Sequence, residues 1–311
     1  MADVVVESRG LSKLYGGRRA VDALDLRVTR GEIFGLFGPN GAGKSTTLRL
    51  LTALTEPSEG TAVVCGLDVR QARDRVRSRV AILPENPTPD GHLKPDAYLG
   101  FCAALRGESA GRARAACRET LASLGVPPRE KPLSHLSMGQ RQKVEIARIL
   151  LDPSPLLVLD EPFNALDLDT RRVVMARLRE MVRDGRTIVY TSHHLLEAER
   201  FVDRFGFLRA GRLAAVGAAG DLKRKFLAAR FRLEVTRPQD AVARLRSVAG
   251  VREARMDHHE IEVLVDERSR VGSIVRALVE AGHEVTAVVP QGSIEDLFDQ
   301  LRQETTPAVA A

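Results

Sequence analysis

Apolar and polar positions along the first two-thirds of the chain switch between a strand-like and a helix-like period. Short apolar runs at Val4–Glu7, Leu24–Val28 and Val80–Leu83 read as strands. Glu32–Phe37, Leu156–Leu159 and Thr187–Thr191 are further apolar runs, each followed by a helical pattern, the first of them from Lys44 to Leu54. Apolar strands that alternate with helices predict a mainly parallel sheet buried on both faces. Residues 86–136 break the alternation. They open with Asn86-Pro-Thr-Pro-Asp-Gly91, continue as stretches rich in Ala, Leu and Arg, and read as a helical insertion. Phe205–Val216 holds two strand runs around Ala210-Gly211, a hairpin signal.

After Gly217 the pattern changes. Phe231–Val235, Val251–Met256, Ile261–Val265 and Glu284–Val289 are strand-like; Ala241–Val248, Val271–Ala281 and Ile294–Leu301 are helical. The order βαββαβ with a final helix is ferredoxin-like. The boundary falls near 217–230, giving an α/β domain over 1–225, a small α+β domain over 226–304 and a frayed tail over 305–311.

Composition narrows the classes. The 311 residues are 44% hydrophobic and 28% charged, ordinary for a folded protein with one large core or two modest ones. No apolar run approaches the ~20 residues of a membrane span, and the opening lacks the apolar core of a secretory leader. Cys65, Cys102 and Cys117 lie far apart without CxxC spacing, so they read as reduced thiols and not as metal ligands. Basic charge is mostly arginine, 40 Arg against 7 Lys, and the net charge is +6. Residues 230–311 carry 11 Arg and 14 Asp or Glu, a net of −3, which leaves +9 on the first part. That excess suits nucleic acid, a phosphate ligand or a membrane surface. With no Trp and only 3 Tyr, platforms for stacked single-stranded bases are poorly supported.

The phosphate ligand is the best supported of the three. Gly38-Pro39-Asn40-Gly41-Ala42-Gly43-Lys44-Ser45, with Thr46 next, matches G-x-x-x-x-G-K-[ST] without a mismatch, directly after a strand and directly before a helix. Its glycines let backbone N–H groups turn towards phosphate oxygens. The helix offers its positive end to the same anion. Lys44 reaches the β- and γ-phosphates, and Ser45 can ligate Mg²⁺. A second feature is Leu156-Leu-Val-Leu-Asp160-Glu161, an apolar strand ending in two acids. A strand buried on both faces delivers its last residues to the carboxyl edge of the sheet, where ligands bind. Asp160 is the expected Mg²⁺ holder and Glu161 the group that polarises the attacking water.

The segment between these motifs identifies a family. Leu136-Ser137-Met138-Gly139-Gln140 resembles the signature of ABC ATPases, usually LSGGQ, with Met138 in place of the first glycine. Asn164-Ala-Leu-Asp167 resembles the family's D-loop, and His193 its switch histidine, which the resemblance makes a catalytic residue in contact with the γ-phosphate. Tyr15 matches the aromatic that stacks on adenine, and Glu85 stands at the Q-loop position, where glutamine is more usual. All of these motifs in family order over residues 1–229 are far more specific than any one. The resemblance implies an ABC-type P-loop NTPase fold: a mainly parallel sheet, N-terminal antiparallel strands and a helical insertion. It implies ATP and Mg²⁺ as ligands, the latter on Ser45, Asp160 and Glu85. It implies two copies packed head-to-tail, each ATP held by the phosphate loop of one copy and by Ser137, Gly139 and Gln140 of the other, with Asp167 beside them. Read alone, Ser137 would simply cap a helix.

A similar C-terminal region, ending near Gly292-Ser-Ile-Glu-Asp-Leu-Phe298, follows the ATPase in exporters of the ABC-2 type. The resemblance therefore points to the ATP-hydrolysing subunit of an exporter, a homodimer at the cytoplasmic face of the membrane, docked on a separate permease through residues 86–136. A soluble ABC ATPase acting on ribosomes or DNA is the alternative. Only one cassette is present, with no heptad coiled coil or zinc-binding cysteines, so no nucleic acid partner is expected. A nucleotide-gated scaffold without catalysis is disfavoured by the presence of Lys44, Asp160, Glu161 and His193.

Overall fold

In the computed structural model the N-terminal segment folds back on itself as a hairpin whose Val6, Leu11, Leu24 and Leu26 are buried in the core. The structure describes residues 3–303 apart from 88, 90, 109, 127–130, 194, 228, 259, 268 and 269. β1 (Val4–Tyr15) and β2 (Arg18–Thr29) pair antiparallel. There follow β3 (Ile33–Phe37), α1 (Lys44–Leu51), β4 (Glu59–Val64), β5 (Leu67–Asp68), α2 (Arg73–Arg77) and β6 (Val80–Leu83). The region read as an insertion holds α3 (Pro95–Ala104) and α4 (Ala110–Ser123), and a 3₁₀ turn, Leu133–His135, leads into α5 (Met138–Leu150). β7 (Leu156–Asp160), α6 (Leu168–Arg183), β8 (Thr187–Thr191), α7 (Leu195–Phe201), β9 (Arg204–Arg209) and β10 (Arg212–Gly217) complete the first compact unit, which ends at Gly217.

Two sheets make up that unit. One is antiparallel, in the order β2-β1-β4-β5; the other has six strands in the order β10-β9-β3-β8-β7-β6, parallel except for β10. Every residue of β3, β7 and β8 is buried, which is why these strands read as unbroken apolar runs. An aromatic cluster fills the middle of this sheet. The Phe37 ring stacks 5.1 Å from Phe205 and meets Tyr190 edge-on at 5.9 Å. Each ring contributes about 2–3 kcal/mol of burial, and edge-to-face pairs add to that.

The strand order fixes where chemistry can happen. β3, β8, β7 and β6 are neighbours and parallel, so their carboxyl ends share one edge. That edge carries the loop after Phe37, Thr191, Asp160 and the segment leading to Glu85. A buried polar chain ties the helical region to it. The Tyr98 hydroxyl on α3 donates to Glu145 on α5 at 2.6 Å; Arg148 donates to Glu145 at 2.8 Å and to the Ile82 carbonyl of β6 at 2.6 Å. Burial, with the Glu145 bond second, pushes the Tyr98 hydroxyl above its ordinary range.

The second unit starts at Ala218. It comprises α8 (Ala219–Phe226), β11 (Ala229–Val235), α9 (Pro238–Arg246), β12 (Val251–Asp257), β13 (Glu260–Val265), α10 (Val271–Glu280), β14 (Val285–Pro290) and α11 (Ile294–Gln303). The sheet order is β12-β13-β11-β14, wholly antiparallel, which is the ferredoxin-like arrangement expected. Leu233, Ile261, Val263, Leu245, Ile274 and Leu278 form its core. Glu262 lies between Arg230, at 2.8 Å, and Arg255, at 2.5 Å, while Arg232 meets Glu260 at 3.0 Å. Charges along these strands are thus answered across the sheet.

The structure extends the expected elements in places. The N-terminal strands run to twelve residues each, because bulges near Ser8–Leu11 and Leu11–Lys13 interrupt the alternation without ending the pairing. The helix expected to Leu54 stops at Leu51, with Thr52 as its C-cap and Ala53 at φ 53°. β4, β5, α2 and α8 had no counterpart in the sequence reading. The expected tail, 305–311, lies outside the described residues.

Candidate functional site

The loop between β3 and α1 is shaped around its backbone. Gly43, the N-cap of α1, has φ 104°, and a Cβ there would sit 2.3 Å from the Ala20 carbonyl oxygen. Lys44 turns inward and its Nζ donates to the carbonyls of Gly38, at 2.7 Å, and Pro39, at 3.2 Å. A cleft of about 550 Å³ opens over this loop. Asn40, Gly41, Ala42, Gly43, Lys44, Ser45 and Thr46 line it, together with Tyr15, Glu85, Asp160 and Glu161. The structure therefore brings four separated stretches of sequence to one place. Gly38 and Pro39 are not among the lining residues and serve instead as acceptors for Lys44.

The carboxylates are held by β8. The Thr191 hydroxyl donates to Asp160 Oδ1 at 2.5 Å and accepts from the Glu161 N–H at 3.0 Å. Both acids are 8% exposed, so each faces the cleft from a largely dry surround. Glu161 has φ 48°, the left-handed region that a non-glycine residue occupies only where neighbours hold it there. Its Oε2 lies 3.0 Å from His193 Nδ1. Thr191 was not singled out from sequence; its role depends on pairing across 31 residues.

Tyr15 projects from the tip of the β1–β2 hairpin and is 48% exposed. The Lys13 ammonium sits 5.2 Å from its ring centroid and donates to the Glu56 carbonyl at 2.7 Å. Lys13 is not a lining residue, so it supports the ring from outside the cleft.

The signature residues lie elsewhere. Ser137 caps α5: its Oγ accepts from the Gln140 N–H at 3.3 Å, and Gln140 Oε1 accepts from the Ser137 N–H at 3.3 Å. A Cβ on Gly139 would lie 2.7 Å from the Ala165 carbonyl, so this helix end packs directly on the loop after Glu161. Gln142 fastens the same junction, donating to the Pro162 carbonyl at 3.1 Å. Asp167 caps α6 through Thr170 and takes a 2.8 Å bond from Lys143, which with the Thr170 bonds holds its carboxyl well below the usual range. None of Ser137, Gly139, Gln140 and Asp167 lines the cleft. Met138 is 59% exposed beside them.

Among the described residues no group of three or more His, Cys, Asp or Glu side chains is arranged to hold a metal alone. The hydroxyl of Ser45 and the carboxylate of Asp160 still suit Mg²⁺. That ion prefers one or two protein oxygens and completes its shell with phosphate oxygens and water.

Comparison with known proteins decides the family. Residues 21–164 match the model of the ABC transporter family. The daunorubicin resistance ATP-binding protein DrrA3 of Streptomyces coeruleorubidus is 34% identical over 303 residues, covering 96% of each chain. This chain belongs to the ABC ATPase family. The daunorubicin/doxorubicin resistance ATP-binding protein DrrA of Streptomyces peucetius is 39% identical over 219 residues, 70% of this chain and 66% of that one. The Nod factor export ATP-binding protein I of Cupriavidus metallidurans is 35% identical over 70% of this chain and 72% of its own. A solved ATP-binding subunit of an ABC transporter superposes with a TM-score of 0.68 at 31% identity, over 71% of this chain and 93% of that one. A dimeric bacterial ABC transporter cassette does so at 0.63 and 25%, over 68% and 98%. The ABC ATPase is therefore an ATP-binding, ATP-hydrolysing protein with the expected fold.

Gly43→Ala should weaken ATP binding by roughly thirtyfold, since about 2 kcal/mol of backbone strain falls on the loop that cradles phosphate. A fluorescent-nucleotide titration measures it. A Kd within twofold of the unmodified chain would show that the loop relaxes around the new methyl.

Proposed function

We propose that this ABC ATPase energises a separate membrane-spanning permease of the exporting kind from the cytoplasmic face of the membrane. The observation that carries the reading is the single cleft joining Tyr15, the phosphate loop, Glu85, Asp160 and Glu161 while the signature serine stays outside it. A serine-tipped helix end that does not reach its own chain's cleft is available to another copy. The drug-resistance relative, the Nod factor export relative and the dimeric cassette support this.

In this reading Tyr15 stacks on the adenine, and the amides of residues 38–46 surround the phosphates. Lys44 exchanges its carbonyl partners for phosphate oxygens. Ser45 and Asp160, with Glu85 near, would hold Mg²⁺, which would neutralise charge on the phosphates. Glu161 accepts a proton from the attacking water, and His193 keeps its carboxylate turned towards the γ-phosphate. Ser137, Gly139 and Gln140 of a second copy close on that phosphate, with Asp167 bracing the junction. Among the described residues no helix is long and apolar enough to cross a membrane, so the reading assigns the spanning part to the partner, docked on the α3–α4 region. The tie from Tyr98 through Glu145 and Arg148 to β6 then links that surface to the strand before Glu85.

Coexpression with a candidate polytopic membrane protein tests the reading. Copurification and an ATPase rate altered by the partner are expected. A pull-down that recovers ribosomes or DNA instead, with steep salt dependence, would overturn it.

A further inference from the structure

The cleft has a cationic edge that the family motifs do not account for. Tyr15 and Arg18 are directly opposite in the β1–β2 ladder, joined by Gly16-Gly17 at φ 52° and 81°. Positive φ at both turn positions makes this a tight type I′ hairpin tip. Directly paired residues project to the same face, and Arg18 accordingly lines the cleft alongside Tyr15. Arg19 lines it too, but its charge is already answered: Nη1 and Nη2 meet Glu59 at 2.9 and 3.1 Å, and Nη1 lies 3.5 Å from Asp22. The Arg18 side chain has no ion pair or hydrogen bond among the described residues.

An exposed guanidinium with five unused donors, carried on the residue opposite the Tyr15 ring, suits a planar pair of anionic oxygens. In a nucleotide the first anionic group after the base and sugar is the α-phosphate. We propose that Arg18 is a nucleotide-binding residue whose guanidinium donates to the α-phosphate of the nucleotide stacked on Tyr15. The proposal rests on the reading of this cleft as the ATP site. Arg18 and Tyr15 then act as one clamp. The ring takes the base without regard to phosphorylation, and the guanidinium distinguishes a nucleotide from its nucleoside. This role was not legible in the linear sequence, because it depends on hairpin register and on Glu59 engaging the neighbouring arginine.

The test is displacement of trinitrophenyl-ATP from the full chain by ATP, 2′-deoxy-ATP, AMP and adenosine. Arg18→Ala should weaken ATP and AMP by about tenfold, the size of one lost charge-assisted bond, and leave adenosine unchanged. Arg18→Lys, which keeps the charge and loses the fork, should fall between. An ATP affinity within twofold of wild type overturns the proposal, as does an equal loss for adenosine. Lost discrimination against 2′-deoxy-ATP with AMP binding intact also overturns it, since that places the guanidinium on the ribose. Lys44→Ala, run in parallel, separates the two levels. If it binds ATP as well as wild type, the site reading itself falls; if it fails to bind while Arg18→Ala binds normally, only the Arg18 proposal falls.

Discussion

Glu161→Gln is expected to slow ATP hydrolysis by about a thousandfold, the usual weight of a positioned general base, while ATP still binds. The amide keeps the size of the carboxylate and can still hydrogen-bond a water, but it cannot take the proton. The neighbourhood should survive the change. The Glu161 N–H bond to the Thr191 hydroxyl, at 3.0 Å, uses only the backbone of residue 161, and the left-handed φ of 48° belongs to the residue's place in the chain. What changes is the 3.0 Å pairing with His193 Nδ1, which becomes a neutral hydrogen bond. Bound ATP that is not consumed should hold two copies together, so the variant should elute as a dimer with ATP–Mg²⁺ and as a monomer without it. Phosphate release measured beside size-exclusion chromatography checks both halves. Wild-type turnover would remove Glu161 from the role of base. A monomer with ATP bound would instead challenge the pairing of copies.

These assignments were legible because the motifs are contiguous and sit at ends of strongly patterned strands. Val80–Leu83 and Thr187–Thr191 match their expected bounds, since parallel strands covered on both faces admit few polar residues. β4, Glu-Gly-Thr-Ala-Val-Val, opens on two exposed residues and owes its state to pairing with β1 across about fifty residues of chain. α8 buries Leu222, with Phe226 half-buried one turn later, a stripe of two residues too short to mark a helix. The same division holds within the site. Lys44, Asp160 and Glu161 can be read from their own neighbours. Thr191 as the bridge between two acids, and Lys13 as support for Tyr15, exist only once β7 lies beside β8 and Glu56 approaches β1. The departures at Met138 and Glu85 also gain a setting. Met138 is exposed at the helix tip, and Glu85 shares the cleft with two further carboxylates. That concentration of negative charge raises the demand for a cation when ATP binds.

The pairing of copies has a sharper consequence than dimerisation alone. Lys44→Ala removes the phosphate-loop charge from a chain but leaves its signature helix whole. Ser137→Arg blocks the helix tip but leaves the loop whole, since Ser137 lies outside its own cleft and closes a capping box with Gln140 alone. Each variant by itself should be inactive, because every site in its homodimer carries one damaged half. Mixed in equal amounts, half of the dimers contain one copy of each. In such a dimer one site combines both lesions, and the other combines an intact loop with an intact serine. If the two sites act independently, activity should return to about a quarter of wild type, as follows from the two-fold exchange of equivalent surfaces. A mixture as inactive as its components would mean that Ser137 serves the cleft of its own chain, and the head-to-tail arrangement would have to be abandoned. Recovery in proportion to the fraction of mixed dimers, followed by titrating one variant into the other, would show that the γ-phosphate is gripped from both sides by different subunits.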